Sequence, residues 1–416
     1  MVVFDGDLRR RVPNATVWIG RHRFRADRRG VVTARILPRA VIVRAAARGY
    51  TTRTRRANFR RFRIFTFRIY QPRLQWTMYG ADPARTGVHH GLHLRPPFRI
   101  IWSVANKNLI EFPAVVSDGF AYIGTGRGTI RAISMRHGTV AWRRDTHTKM
   151  ASSLAIWGDK LVVHGMGDGR VRVLDRLNGR VVSTVSVGSA IESSPVVRYD
   201  VDYFGAANGR IYALNLRTRR FRWVYSSGAK ITGSVSVAGR TAYVGNYGGR
   251  VMAIDTRTGR LRWSSSVGGR VYGTAPVSGG RLFVPSSTGG SVTAFSTRGS
   301  RLWSVHTGSY VYSTPATWAG RVVFGSYNGV LYCVSARSGA VLWTVAIGGS
   351  ISGAPVIVDG VAYAASFANR MLGVDVRTGR VIFRFPHGEY VPVSGNGGRL
   401  LLHGYSRIWA VEPRRR

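Results

Sequence analysis

Along most of the chain, short runs of alternating apolar and polar or small residues are each closed by a glycine turn. The clearest stretch is Gly239-Arg-Thr-Ala-Tyr-Val-Gly-Asn-Tyr-Gly-Gly-Arg-Val-Met-Ala-Ile-Asp255-Thr-Arg-Thr258-Gly259-Arg-Leu-Arg-Trp263. Its Thr-Ala-Tyr-Val and Val-Met-Ala-Ile segments have the two-residue period of strands, and Gly248-Gly249 between them supplies the positive φ of a hairpin. Asp255-x-x-Thr258-Gly259 predicts a second turn, in which a short acceptor side chain bonds nearby backbone N–H groups and glycine takes the left-handed position. A fourth, innermost strand is expected from the segments holding Pro113, Pro195, Pro276, Pro315 and Pro355.

The same phrase recurs. Trp102, Trp142, Trp223, Trp263, Trp303 and Trp343 fall at multiples of about forty residues, with Ser183 and Phe383 at the two remaining places. Four antiparallel strands in about 40 residues, repeated, is the signature of propeller blades. Whole units are predicted near 113–142, 151–187, 194–224, 234–264, 274–304, 314–344 and 354–385. Residues 390–413 hold three more strands, while Phe98-Arg-Ile-Ile-Trp102 is an orphan outer strand at the front. Pairing the two predicts an all-β, eight-bladed β-propeller over 98–413, closed by its N- and C-terminal strands. Closure removes the edges that a linear array would expose, so losing 95–104 is expected to promote aggregation. The recurrent tryptophans then dock blade on blade, burying roughly 150 to 250 Å² each.

Residues 1–71 lack the period. Strands are expected at 15–20, 22–27, 30–37, 40–46 and 62–69, giving a small β-sandwich, with 72–97 as a linker and lead-in.

Composition adds charge. The formal net charge is +44, and only Lys107, Lys149, Lys160 and Lys230 are lysine, so arginine carries it. Such a field attracts nucleic acid, anionic lipid or acidic wall polymer. Arginine spread over every repeat is equally what coding bias produces. The front segment holds 19 arginines against Asp5, Asp7 and Asp27. Its cluster Arg53, Arg55, Arg56, Arg60, Arg61 and Arg63 is the candidate polyanion contact, binding weakly and in a salt-dependent way. With Cys333 alone, an internal disulfide, a Cys-rich zinc site and a c-type haem motif are excluded. Its place in Val-Leu-Tyr-Cys-Val reads as a small core residue. No apolar run approaches the roughly 18 to 20 residues of a membrane helix, and the first residues do not resemble a signal peptide. The chain is then either cytosolic or preceded by a leader or anchor.

The repeat Gly-x-x-Tyr-x-Gly…Ala-x-Asp-x-x-Thr-Gly-x-x-x-Trp resembles the pyrroloquinoline-quinone-repeat family, which includes quinoprotein dehydrogenases and BamB-like outer-membrane assembly factors. The likeness covers about 76–413. Trp76-Thr-Met-Tyr-Gly80-Ala-Asp82-Pro-Ala-Arg85-Thr86-Gly87 looks like the lead-in of bacterial propellers in this superfamily, and the arginine-rich, lysine-poor habit is similar to actinobacterial-type members. Val12-Pro-Asn-Ala-Thr-Val-Trp…Asp27-x-x-Gly30…Ala47-Arg-Gly49-Tyr50 resembles a carboxypeptidase-regulatory-like domain, which implies a spacer or adhesion module. In the enzymes the resemblance implies an adjacent cysteine pair, a calcium set of acids and amides, and a catalytic aspartate. The first is absent here. The 18 acidic residues, with Asp175, Asp255 and Asp375 in blade turns, leave little for a calcium cage.

Other chemistry is sparse. His89-His90-Gly-Leu-His93 could hold a metal by spacing, but reads as a linker between glycine and proline, so no metal is expected. Gly124-Thr-Gly126-Arg-Gly128 belongs to a hairpin, not a dinucleotide loop, and no Gly-x-Ser-x-Gly, His-Glu-x-x-His or P-loop occurs. Variable segments before the innermost strands place Glu111, Lys149, Glu192, Lys230, Tyr272, Tyr310, Tyr312, Ser352, Glu389 and Tyr390 around one mouth of the funnel, where propeller ligands sit. Acid, base and phenol together suit a peptide or glycan and form no catalytic set. The expectation is a monomeric, non-enzymatic, extracytoplasmic scaffold in the cell envelope, without a cofactor, that docks a protein or polymer. A quinoprotein-type oxidoreductase and a polyanion-binding protein are the alternatives.

Overall fold

The structure, a computed structural model, describes residues 1–35, 40–59 and 64–414. Among these, the chain from 98 to 413 forms eight antiparallel sheets of four strands, the seventh gaining a short fifth strand. In chain order sheets 1 to 7 span 115–145, 155–186, 196–226, 236–266, 277–306, 316–346 and 356–385. Sheet 8 joins Val393–Asn396, Arg399–His403 and Arg407–Pro413 with Phe98–Ala105 from the front of the chain.

Sheet 4 shows how the repeat folds. Thr241–Gly245 is buried along its whole length and Arg250–Asp255 at its four central residues, because neighbouring sheets cover both faces. The outer strand Leu261–Ser266 is half-buried or exposed. The hairpin closes at Gly249 (φ 73°), where a Cβ would lie 2.9 Å from the Gly269 carbonyl oxygen. In the next turn the N–H groups of Arg257 and Thr258 donate to Asp255 Oδ1, each at 2.9 Å. A bulge between Ala253 and Ile254 then twists the outer strand. Each of the other seven sheets has its own bulge at the matching place.

Across that bulge the large outer residue faces a small one. Trp142, Trp223, Trp263 and Trp303 lie opposite Ala132, Ala213, Ala253 and Ala294. Trp102 lies opposite Ala410, and Trp343 opposite Cys333, which explains the place of the single cysteine. Where the outer residue is Ser183 the partner is the larger Val173, and where it is Phe383 the partner is Gly373. The pairs exchange volume, as close packing requires.

Each indole also reaches the next sheet. Nε1 of Trp102, Trp142, Trp223, Trp263, Trp303 and Trp343 donates to the carbonyls of Met135, Arg176, Thr256, Thr297, Ala336 and Val376 at 2.9–3.2 Å. The ring lies over the glycine of that turn. A Cβ on Gly259, for example, would meet Trp223 at 2.7 Å. Ser183 has no ring to offer, and the facing turn carries Arg219 where the others carry glycine.

The stretch 72–97 is more than a connection. Its carbonyls at Trp76, Thr77, Pro83, Ala84, Thr86 and Gly87 accept N–H bonds from Val116, Ile156, Val237, Val277, Thr317 and Ile357, at 2.6–2.9 Å. These donors belong to the innermost strands of sheets 1, 2, 4, 5, 6 and 7. At sheet 3 the wholly buried Arg85 substitutes, its guanidinium donating to Ser194 and Pro195 O at 3.0 and 2.8 Å, to Val235 O at 3.1 Å and to Tyr79 O. Above this thread the hydroxyls of Ser194, Ser234, Thr274 and Thr314 each accept the N–H of the corresponding residue one sheet earlier, at 2.9–3.0 Å.

The front segment forms a two-stranded parallel sheet, Val2–Asp5 with Thr66–Ile69, and a four-stranded sheet of His22–Arg25, Thr16–Ile19, Ala40–Ala46 and Arg53–Asn58. Val3, Val17, Val43 and Phe67 are buried between them. Two strand expectations are corrected, and two strands are added. No strand runs over 30–35, where Val31 makes only an isolated bridge with Val2, and positions 36–37 lie outside the described residues. The strand expected from 62 begins at Thr66, with 62–63 outside the described residues. Val2–Asp5 and Arg53–Asn58 were not anticipated, the first because it is so short and the second because charge masks its alternation.

This domain docks on the first and last sheets through buried polar groups. Gln75 Nε2 and Asn396 Nδ2 donate to the two oxygens of Asp7 at 2.6 and 2.8 Å. Gln71 Nε2 and Tyr50 Oη donate to Asp5 Oδ2, and Gln75 Oε1 accepts the Asp118 N–H.

Candidate functional site

Antiparallel order puts two loop sets at one end of the strands: the connections entering each innermost strand and the hairpins between second and third strands. They surround a cavity of about 70 Å³. Of the residues expected there, Glu111, Glu192, Tyr272, Tyr312, Ser352 and Tyr390 line it, while Lys149, Lys230, Tyr310 and Glu389 do not. Lys149 is exposed. Lys230 Nζ is held 2.9 Å from Glu192 Oε1 and 5.3 Å from the Tyr247 ring centre. Tyr310 is half exposed and packs at the rim against Tyr312 and Tyr327. At the buried end lie Phe112 and Tyr79 of the lead-in, edge to face at 5.7 Å.

The mouth has two unlike sides. On one, Tyr247, Tyr272, Tyr312, Tyr327, Phe367 and Tyr390 form an unbroken arc, each ring 4.8–6.2 Å from the next. On the other stand Glu111 and Glu192. Burial, and then the Glu192 charge, raise the Glu111 carboxyl above its ordinary value. Burial also raises the Tyr272 and Tyr390 phenols, and Glu111 adds to both shifts. Tyr247, Tyr327 and Phe367 were missed from the sequence. They hold one place in successive hairpins, forty residues apart with Ser287 between, so phasing the hairpins on the tryptophans would have found them.

The arginine cluster divides. Arg53 is half-buried, donates to Asp118 O at 3.2 Å and lies 5.1 Å from the Tyr70 ring centre. Arg55 and Arg56 are exposed, and Arg60, Arg61 and Arg63 lie outside the described residues. The three histidines border one surface pocket but are not placed to hold a metal ion. His89 is buried on Trp76 with Nε2 2.9 Å from Gln75 O, His90 is exposed, and His93 faces Asp359 at 3.7 Å.

Successive four-stranded sheets around a mouth of loops define the class: a β-propeller built of pyrroloquinoline-quinone-type repeats. The family model described as "Outer membrane protein assembly factor BamB" matches residues 99–229, 207–317 and 289–407, and the chain belongs to that family. BamB from Moraxella catarrhalis is similar in structure at a TM-score of 0.65 and 18% identity, over 77% of this chain and 99% of that one. Quinohemoprotein alcohol dehydrogenase from Comamonas testosteroni is similar at 0.69 and 14%, over 82% and 81%. A europium-containing methanol dehydrogenase is similar at 0.68 and 14%, over 79% and 89%. At these identities the likeness is one of fold. Comparison with curated proteins gave no match.

Two of these neighbours are dehydrogenases, so the fit of a quinone and its metal can be tested on the residues present. Cys333 is wholly buried under Trp343, its thiol pushed up to about 12 by burial. Among the described residues no group of three or more His, Cys, Asp or Glu side chains is placed to hold a metal ion. The residues do not fit the quinone. No helix of the described residues is long and apolar enough to cross a membrane.

Proposed function

We propose that the chain is a non-catalytic binding propeller of the cell envelope, a scaffold that docks a protein partner or an envelope polymer on the loops of its mouth. The observation that carries this reading is the arc of six aromatic rings facing two carboxylates, chemistry suited to recognition and without a nucleophile and base paired for catalysis. In this reading the eight sheets are blades of one closed ring over 98–413. Three features support that: pairing of Phe98–Ala105 with Arg407–Pro413, the Trp102 indole seated on sheet 1, and a core shared by sheets 1, 7 and 8. Residues 1–71 act as a carboxypeptidase-regulatory-like spacer, 72–97 as the lead-in, and the protein works extracytoplasmically as a monomer.

The test is retention of partners from an envelope extract at high salt, by the full chain and by a Tyr272→Ala/Tyr312→Ala variant. Retention by the first and loss by the second is expected; equal retention contradicts the reading. Quinone reconstitution followed by dye reduction tests the oxidoreductase alternative, for which no turnover is expected. A second reading, polyanion binding, is favoured by one observation: Arg55 and Arg56 are both exposed on the edge strand Arg53–Asn58. Its mark is binding that falls steeply with salt and with Arg55→Ala/Arg56→Ala.

A further inference from the structure

In a chain with 58 arginines, carboxylates rarely lack a partner. Asp118, Asp168, Asp200, Asp255, Asp375 and Glu412 pair with arginine, and Asp159, Asp175 and Glu192 with lysine. Asp202 meets His164, Asp145 meets Arg143, and Asp359 meets His93. Asp5 and Asp7 are bonded at the domain interface, Asp27 by turn N–H groups, and Asp82 by Thr86. Of the 18 acidic side chains, that leaves Glu111 and Glu389, which make no hydrogen bond or ion pair among the described residues. Both belong to the mouth loops. Glu111 lines the cavity, and Glu389 precedes Tyr390, which also lines it.

The same mouth already shows what such a carboxylate does with a cation. Glu192 and the ring of Tyr247 hold the Lys230 ammonium between them. Glu111, with Tyr272, Tyr312 and Tyr390 around the same cavity, has the same chemistry and no cation of its own. A carboxylate removed from bulk water beside aromatic faces favours a positive charge, through Coulomb attraction and cation–π contact, over a neutral group of equal shape.

Resting on the reading of the mouth as the binding site, we propose that it takes a basic segment of a protein partner, inserting one arginine or lysine tip beside Glu111 between the rings of Tyr272, Tyr312 and Tyr390. The partner is thus a cationic peptide, drawn to a negative throat in a positively charged protein. A neutral glycan, which would use the rings alone, is the contrasting occupant.

The experiment is calorimetric titration of the full-length protein with capped pentapeptides Gly-Ser-X-Ser-Gly, in which X is arginine, lysine, citrulline or glutamate, and with a neutral N-acetylglucosamine oligomer. Arginine and lysine peptides are expected to bind at least about tenfold more tightly than citrulline, and glutamate not at all. Glu111→Gln, which leaves volume unchanged, should bring arginine and citrulline to within about twofold, while Arg337→Ala, at a residue exposed in the turn between Val330–Ser335 and Val341–Ala346 at the end away from the mouth, changes nothing. Equal binding of citrulline and arginine overturns the proposal, as does a preference that survives Glu111→Gln. So does binding of the oligomer in place of peptides. If citrulline equals arginine but Tyr272→Ala weakens both, the mouth remains the site and only the charge preference falls. If no peptide binds up to about 10 mM, the proposal fails; the scaffold reading is then judged by the extract experiment alone.

Discussion

The two ends of the propeller differ in how they treat polar groups. At the end crossed by the lead-in, six backbone N–H groups find carbonyls, Arg85 finds four, and Asp5 and Asp7 are enclosed by amide and phenol donors. At the mouth, Glu111 and Glu389 make no bond among the described residues, and six aromatic rings form an arc across the cavity from Glu111. Burying a polar group without a partner costs stability. The first end is organised by hydrogen bonds that tie the lead-in and the front domain to the sheets, although Trp76 Nε1, Thr317 Oγ1 and Ser394 Oγ find no partner there among the described residues, whereas the mouth presents carboxylates that a ligand could meet.

The largest effect is expected from breaking the sealed end. Arg85→Ala strands four buried carbonyls and should cost about 3–5 kcal/mol in denaturant unfolding. A loss under about 1 kcal/mol would show that the thread is dispensable. Next comes Asp7, whose carboxyl is pushed up to about 7, mainly by burial. A raised folded value means that Asp7 contributes its full stability below the ordinary carboxylate range and loses it as pH rises through about 7. Groups acting in the opposite sense include the Met1 amine and His89, both lowered chiefly by burial. His403 is pushed down to about 4 by burial, and Asp255, Asp375 and Glu412 are held low by their arginines. Glu111 and Asp82, both raised by burial, act in the same direction as Asp7. The Asp7 contribution should therefore be lost between about pH 4 and 7, and across that range the melting temperature of Asp7→Asn should fall less, or rise more, with pH than that of the wild type. Equal slopes would remove Asp7 from the domain interface. The smallest stability effect is expected at the mouth, where Glu111→Gln should change unfolding by less than about 0.5 kcal/mol or stabilise it slightly, because it removes a partly buried carboxylate that has no bonded partner among the described residues.

Legibility in the sequence follows the same division. The sheets could be read because Trp263 and its equivalents must meet a small residue in their own sheet and a glycine in the next, and both demands repeat every forty residues. Even the exception was written there: Ser183 comes with Val173 and Arg219 in place of alanine and glycine. The lead-in was legible as a motif but not as a thread, because it works through backbone carbonyls, which carry no side-chain signal. Arg85, one of 58 arginines, gave no hint of its burial. At the mouth, loop phase pointed to Glu111, Glu192, Tyr272, Tyr312, Ser352 and Tyr390, which line the cavity, and to Lys230, which pairs with Glu192 beside it; that pairing carries no signal in the repeat. The front domain was least clear, since its strands Val2–Asp5 and Arg53–Asn58 are short or charge-masked.

The central claim is that the mouth is built for a ligand and the other end for stability, so the decisive measurement takes both quantities from one protein. For Tyr272→Ala/Tyr312→Ala, partner retention at high salt and the melting temperature are recorded together with those of the wild type. Retention lost with a melting temperature lowered by no more than a few degrees is the predicted result. Retention kept while the melting temperature collapses would mean that the aromatic arc is core, and would contradict the account.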